Sequence, residues 1–155
     1  MIDLYVELDL PAVPTTIEQL CINACNSKPL MTIFREGFIA RKQCTFSTYQ
    51  PPLELISWLH GSKIEYKDVF IQKSYNGTHL HPHIDGSKYN DSDQERDWAT
   101  NYLLTSSEPI TSWYTSDRVQ IMSKQIPSKI WHRIKTSILH GVTDINEPRI
   151  SISLI

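Results

Sequence analysis

A short segment in the middle of the chain carries residue types that bind metal ions. Residues 79–85 read His-Leu-His-Pro-His-Ile-Asp and hold three of the six histidines. In an extended strand, residues two apart project from the same face with their Cα atoms about 6.6 Å apart. His83 and Asp85 can therefore bind one ion from a single strand, and this segment predicts part of a metal site.

A further ligand must come from elsewhere in the sequence, and His140 is the natural candidate. Residues 137–142 read Ser-Ile-Leu-His-Gly-Val, so alternation along a strand places His140 on the same face as Ile138 and Val142. An imidazole in that position is either a buried structural histidine or a ligand at the bottom of an apolar pocket.

Two imidazoles and one carboxylate form the facial triad of non-haem iron(II) oxygenases, which leaves one side of the octahedron open. The predicted ligands, which are also the predicted catalytic residues, are His83, Asp85 and His140. Because His79 and His81 lie in the same segment, His81 is an alternative first ligand in place of His83.

The last segment of the chain is a strand with two different faces. Residues 149–154 read Arg-Ile-Ser-Ile-Ser-Leu, so apolar side chains alternate with Arg149, Ser151 and Ser153. One interpretation is a half-exposed strand with Arg149 in solvent. The other is a polar interior wall on which Arg149 and Ser151 bind a carboxylate.

The elements that position these residues change character along the chain. Helical spacing and capping signals predict helices over about 16–25 and from Pro51–Pro52 to His60–Gly61. Short β-rich segments follow from about residue 64, and two more precede them. The predicted strand regions are 3–9, 31–46, 66–75, 81–85, 97–105, 110–115, 118–123, 128–134, 137–142 and 148–155. This order predicts an α+β, mainly β domain, a sandwich or barrel with helices on one side.

Length and charge restrict the class of protein. The 155 residues correspond to one domain, and 15 Lys+Arg against 17 Asp+Glu give a formal net charge of −2. This balance argues against nucleic acid as a partner, because binders that work through bulk charge are basic. No stretch reaches the roughly 18 apolar residues of a membrane span, and the first residues do not resemble a secretory signal. We therefore expect a cytoplasmic protein without a membrane partner.

From about residue 64 to 155 the chain resembles the 2-oxoglutarate/Fe(II)-dependent dioxygenases of the prolyl- and aspartyl-hydroxylase type. The residues that carry the resemblance are His83-Ile-Asp85, residues 98–105 and 110–114, His140-Gly-Val142 and Arg149-Ile-Ser151. The compact size is similar to that of small bacterial and phage-encoded members. The resemblance implies that residues 1–155 form one double-stranded β-helix (jelly roll) with N-terminal supporting helices.

The resemblance also implies a division of roles. His83, Asp85 and His140 match the iron ligands, Arg149 and Ser151 the residues that bind 2-oxoglutarate, and Tyr102 a strand position near the same carboxylate. Such an enzyme uses Fe(II), 2-oxoglutarate and O2, with ascorbate as a supporting reductant. It hydroxylates an unactivated C–H bond of a protein side chain or small molecule and releases succinate and CO2. The substrate and the oligomeric state stay open.

Two alternatives compete with this interpretation. The first is a cupin-like metal-binding β-barrel protein without 2-oxoglutarate chemistry, in which His81, His83 and His140 bind the metal. The second is a non-enzymatic β-sandwich interaction module that binds no metal. Residues 86–97 follow the predicted ligand Asp85 directly, and they are either a solvated loop or a lid over the site.

Overall fold

The computed structural model of the protein describes residues 3–36, 43–75, 80–83 and 97–155. Within these ranges the chain forms two helices and eleven strands. The helices are α1 (Thr15–Ala24) and α2 (Leu53–Gly61). The strands are β1 (Tyr5–Glu7), β2 (Met31–Glu36), β3 (Gln43–Tyr49), β4 (Val69–Ser74), β5 (Leu80–His83), β6 (Trp98–Leu103), β7 (Ile110–Tyr114), β8 (Gln120–Gln125), β9 (Trp131–Lys135), β10 (His140–Thr143) and β11 (Arg149–Leu154).

The strands form two sheets. The larger sheet has the order β1-β9-β6-β11-β4-β3-β2, and the smaller has the order β5-β10-β7-β8. All described pairs of neighbouring strands are antiparallel. From β4 to β11 the chain passes repeatedly between the two sheets, as in a jelly roll. The predicted mainly β architecture is therefore confirmed, and the structure adds that its sheets are antiparallel.

The two helices pack on one face of the larger sheet. Cys21 of α1 and Leu55 and Leu59 of α2 are fully buried in one core with Ile71 of β4 and Ile152 of β11. Burial of this apolar surface, at about 25 cal/mol per Å², supplies the main attraction between the helices and the sheet. The opposite face of the larger sheet packs against the smaller sheet, where Phe46 of β3 contacts the Val142 cluster and Ile134 of β9 contacts the Trp113 cluster.

The first helix begins differently from the sequence signal. Thr15 and Glu18 have the spacing of a capping box, but the residue that precedes the helix is Pro14, and no side chain caps the helix. Glu18 is instead buried, where it accepts a hydrogen bond from Tyr102 and forms an ion pair with Lys129. The contacts of Glu18 with Tyr102 and Lys129 thus take the place of the expected capping box.

We expect Leu59→Ala to destabilise the protein by about 2–5 kcal/mol, because it removes a fully buried side chain and leaves a cavity under α2. Urea unfolding followed by circular dichroism measures this change. Leu53→Ala on the same helix is the matched control, because Leu53 is 76% exposed, and its effect should stay within about 0.5 kcal/mol. Equal effects would contradict the described packing of α2.

No helix in the described ranges combines the length and the apolar character that crossing a membrane requires.

Candidate functional site

Strand β11 lies in the middle of the larger sheet, between β6 and β4. Its apolar side chains belong to the core beneath the helices. Alternation turns Arg149, Ser151 and Ser153 to the other face, toward the smaller sheet. Ser151 and Ser153 are 5% and 6% exposed. Strand β11 is therefore a polar interior wall and not a half-exposed strand.

Arg149 is a partly buried cation at the start of this wall. Burial lowers the pKa of its guanidinium to about 10, so the group remains protonated at neutral pH. The ion pairs described in the structure join Lys129 to Glu18 and Lys135 to Asp97, and no described acidic side chain pairs with Arg149. A desolvated charge without a counter-charge is costly. The wall therefore suits an anionic ligand.

A buried hydroxyl lies next to Arg149 in the sheet. Ser74 of β4 is the Cα partner of Arg149 across the β4–β11 ladder, and it is fully buried. Among the described residues, its Oγ atom is a buried side-chain atom that makes no hydrogen bond. Ser74 carries no signal in the sequence, since only the register of β4 against β11 brings it to the arginine. The cation and the hydroxyl together fit a carboxylate.

His140 lies on the smaller sheet and is 4% exposed. Its Nδ1 atom lies 2.8 Å from the carbonyl oxygen of Ile138. When the neutral ring donates Nδ1–H to that carbonyl, the lone pair is on Nε2, the tautomer that metal-binding histidines use. The ring environment is therefore chemically suited to a metal ligand.

The strand register brings the two predicted histidines together. His140 of β10 is the Cα partner of His83 of β5 and, on its other side, of Trp113 of β7. Asp85 lies outside the described residues, as do residues 86–96 of the predicted loop. The choice between His83 and His81 as ligand stays a prediction.

In the described ranges, no three His, Cys, Asp or Glu side chains lie together in a way that could hold a metal ion. The predicted set of His83, Asp85 and His140 includes a residue beyond those ranges, so this absence does not bear on it.

The structure separates Tyr102 from the other predicted site residues and corrects its assignment. Tyr102 of β6 is the Cα partner of Ile152, so it turns to the helices, whereas Leu103 lies opposite Ser151. The Tyr102 hydroxyl donates to Glu18 Oε1 at 3.1 Å. Burial and the Glu18 charge raise the pKa of Tyr102 to about 12. Tyr102 is therefore a structural residue that connects α1 to the sheet.

Tyr102→Phe should lower the free energy of unfolding by about 1–3 kcal/mol, because it leaves the buried Glu18 carboxylate with one hydrogen bond fewer. Its affinity for any ligand of the polar wall should equal that of the wild type, since the hydroxyl lies on the other face of the sheet. Denaturant unfolding and ligand titration measure the two quantities. Weaker ligand binding by Tyr102→Phe, with an unchanged free energy of unfolding, would support the original assignment of Tyr102 to the site.

His132 of β9 is a buried neutral base, 1% exposed, with its Nδ1 atom 3.0 Å from the Ile130 carbonyl oxygen. Desolvation lowers the pKa of His132 to about 4, and the positive charge of Arg149 acts in the same direction. The imidazole is therefore uncharged at neutral pH, and it lies close enough to Arg149 to be affected by its charge.

This depressed pKa predicts a pH dependence of stability. Between the ordinary pKa of 6.5 and about 4, the unfolded chain binds a proton at His132 that the folded chain does not. The stability that the neutral His132 contributes is fully present above pH 6.5. As the pH falls toward 4, the free energy of unfolding decreases by an amount on the order of 3 kcal/mol. Urea unfolding at several pH values should show a steeper acid loss for the wild type than for His132→Gln. Parallel curves would contradict this prediction.

Comparisons with known proteins give a structural likeness without a sequence match. No family model matches the chain, and no curated protein matches it. A prolyl-4-hydroxylase of Pseudomonas putida superposes with a TM-score of 0.55 at 12% identity, over 96% of this chain and 89% of that one. The shared feature is the fold.

Two further solved structures are more distant. Oxalate decarboxylase of Bacillus subtilis has a TM-score of 0.40 at 12% identity, over 85% of this chain and 28% of that one. The coconut allergen cocosin has a TM-score of 0.39 at 11% identity, over 75% and 26%. The chain spans only about a quarter of each of these two proteins.

Proposed function

We propose that residues 1–155 form a single Fe(II)- and 2-oxoglutarate-dependent dioxygenase domain. Its reaction hydroxylates an unactivated C–H bond of a protein side chain or a small molecule. The observation that carries the proposal is Arg149, a partly buried cation without a described acidic partner, on the wall that faces the sheet bearing His140. The jelly-roll fold, shared with a prolyl-4-hydroxylase, supports the same assignment.

His140, His83 and Asp85 are the residues that would hold the iron. The Nδ1 contact of His140 with Ile138 supports this role, because it fixes the ring and directs the basic nitrogen away from the backbone. The register of β10 against β5, which pairs His140 with His83, also supports it. Bound Fe(II) supplies the activation of O2 that the protein's own side chains cannot provide.

Arg149 and Ser151 would orient the co-substrate. A guanidinium offers two parallel N–H donors to a carboxylate, and this pairing fixes both the position and the direction of the bound anion. With its distal carboxylate held there, 2-oxoglutarate would present its 2-oxo acid end to the opposite sheet. The buried Trp113 ring next to His140 in the sheet would help to exclude water from that end.

The test is the formation of succinate from 2-oxoglutarate with Fe(II), O2 and ascorbate, against a panel of peptides and small metabolites. We expect turnover that a chelator stops and that His83→Ala and Asp85→Ala abolish. His81→Ala should remain active. An inactive His81→Ala with an active His83→Ala would move the ligand assignment by two residues.

The same assay separates the alternatives. A protein that binds metal but neither binds nor converts 2-oxoglutarate would be the cupin-like barrel. A protein whose stability and tryptophan fluorescence are unaffected by Fe(II) and by chelators would be a non-enzymatic module. Either result would overturn the proposed dioxygenase activity.

A further inference from the structure

The Ser74 hydroxyl is in an unusual environment for a polar group. The side chain is fully buried, and its Oγ atom lacks a hydrogen-bond partner among the described residues. Buried hydroxyls are nearly always hydrogen-bonded, because an unsatisfied one loses its contacts with water and gains nothing in return. Alanine would fill the same volume almost equally well without that cost.

The surroundings of Ser74 indicate what its missing partner is. On one side, its Cα partner is Arg149. On the other side, its Cα partner is Phe46, which packs against Val142 of the smaller sheet. A cation and an apolar contact between the sheets thus lie on either side of the hydroxyl.

The Phe46–Val142 contact also connects the two ends of the site. Val142 lies two residues beyond His140 on β10, so both side chains turn to the same face of the smaller sheet. The polar end at Arg149 and Ser74 is therefore joined to His140 by an apolar surface. A ligand with a carboxylate at one end and a short methylene chain matches this sequence of surfaces.

We propose that Ser74 donates its hydroxyl hydrogen to the carboxylate that Arg149 binds and thereby helps to select a short aliphatic dicarboxylate. The inference rests on the proposed function and deepens it by adding a binding residue. In the ligand-free protein the unsatisfied Ser74 hydroxyl lowers the stability. In the complex the ligand carboxylate accepts its hydrogen bond.

The test combines two measurements on Ser74→Ala. Calorimetric titration with 2-oxoglutarate and with succinate should show a Kd raised about 10-fold, since a hydrogen bond to a charged group is lost. Thermal unfolding of the ligand-free variant should show a Tm raised by about 2–4 °C, since an unsatisfied buried hydroxyl is removed. Ser112→Ala is the control, because Ser112 is a buried serine of β7 that alternation turns to the face opposite to Trp113, and its Kd should stay within about 2-fold of the wild type.

The outcomes separate this inference from the proposed function. An unchanged Kd in Ser74→Ala overturns the role of Ser74, while metal-dependent succinate formation by the wild type would keep the proposed function. A lower Tm together with a higher Kd indicates a structural serine and also overturns the inference. A wild type that binds neither dicarboxylate overturns both. Should Ser74→Ala fail to fold, Ser74→Cys keeps the volume with a weaker donor, and it must raise the Kd for the inference to stand.

Discussion

His140→Ala is expected to abolish metal binding and, with it, the formation of succinate. Loss of a residue that only orients a ligand already weakens metal affinity by about 10–100-fold, so loss of a ligand itself should exceed 100-fold. His140 combines burial with an Nδ1 contact to the Ile138 carbonyl oxygen, and this contact would hold the ring in place as a ligand. Titration with Co(II), followed by its absorption spectrum, measures the affinity directly and without turnover.

The control for this variant is His60→Ala. His60 is exposed near the end of α2, so its removal changes the histidine count without touching the site. Circular dichroism should show both variants folded. A His140→Ala protein that binds Co(II) as tightly as the wild type would remove His140 from the metal site and favour its interpretation as a structural histidine.

Arg149→Ala is expected to raise the Kd for 2-oxoglutarate about 100-fold while Co(II) affinity stays within about 2-fold. The magnitude corresponds to loss of a paired, charge-assisted hydrogen bond. The two effects separate because Arg149 and His140 lie on different sheets. Without ligand, Arg149→Ala should be at least as stable as the wild type, since it no longer buries a charge without a described partner.

Two further variants serve as comparisons for Arg149→Ala: the conservative substitution Arg149→Lys and the control Arg133→Ala. Lysine keeps the charge but not the forked geometry, so its Kd should fall between those of the wild type and Arg149→Ala. Arg133 is exposed on β9 and lies over the Trp98 ring, so its removal should leave the Kd unchanged. Equal losses in Arg133→Ala and Arg149→Ala would indicate a general effect of charge rather than a binding residue.

Much of the polar wall was predictable from sequence, because alternation along a strand is a local property. The pattern of residues 149–154 separates two faces, and the structure buries both of them. What the pattern could not decide was whether the polar face met solvent or another sheet. That depends on the smaller sheet, which is assembled from strands distant in sequence.

The predictions from sequence were wrong or incomplete where strand pairing and other tertiary contacts determine which residues meet. Tyr102 seemed to belong to the site because of its position in a motif, but a shift of one residue in pairing turns a side chain to the other face of a sheet. Its partner is Ile152, not Ser151. Ser74 had no signal at all, since serine in a strand is unremarkable until Arg149 is found beside it. The Thr15–Glu18 capping signal failed for a similar reason, because Glu18 is engaged by residues more than 80 positions away.

The two faces of β11 have a practical consequence for redesign. Even-numbered positions of this strand contact the helical layer, and odd-numbered positions line the interior. Thermal stability can therefore be improved by repacking beneath α1 and α2, and the proposed carboxylate site can be altered separately from the other face of β11. Stability and ligand binding could therefore be varied in separate mutant libraries, and the best variants of each could then be combined.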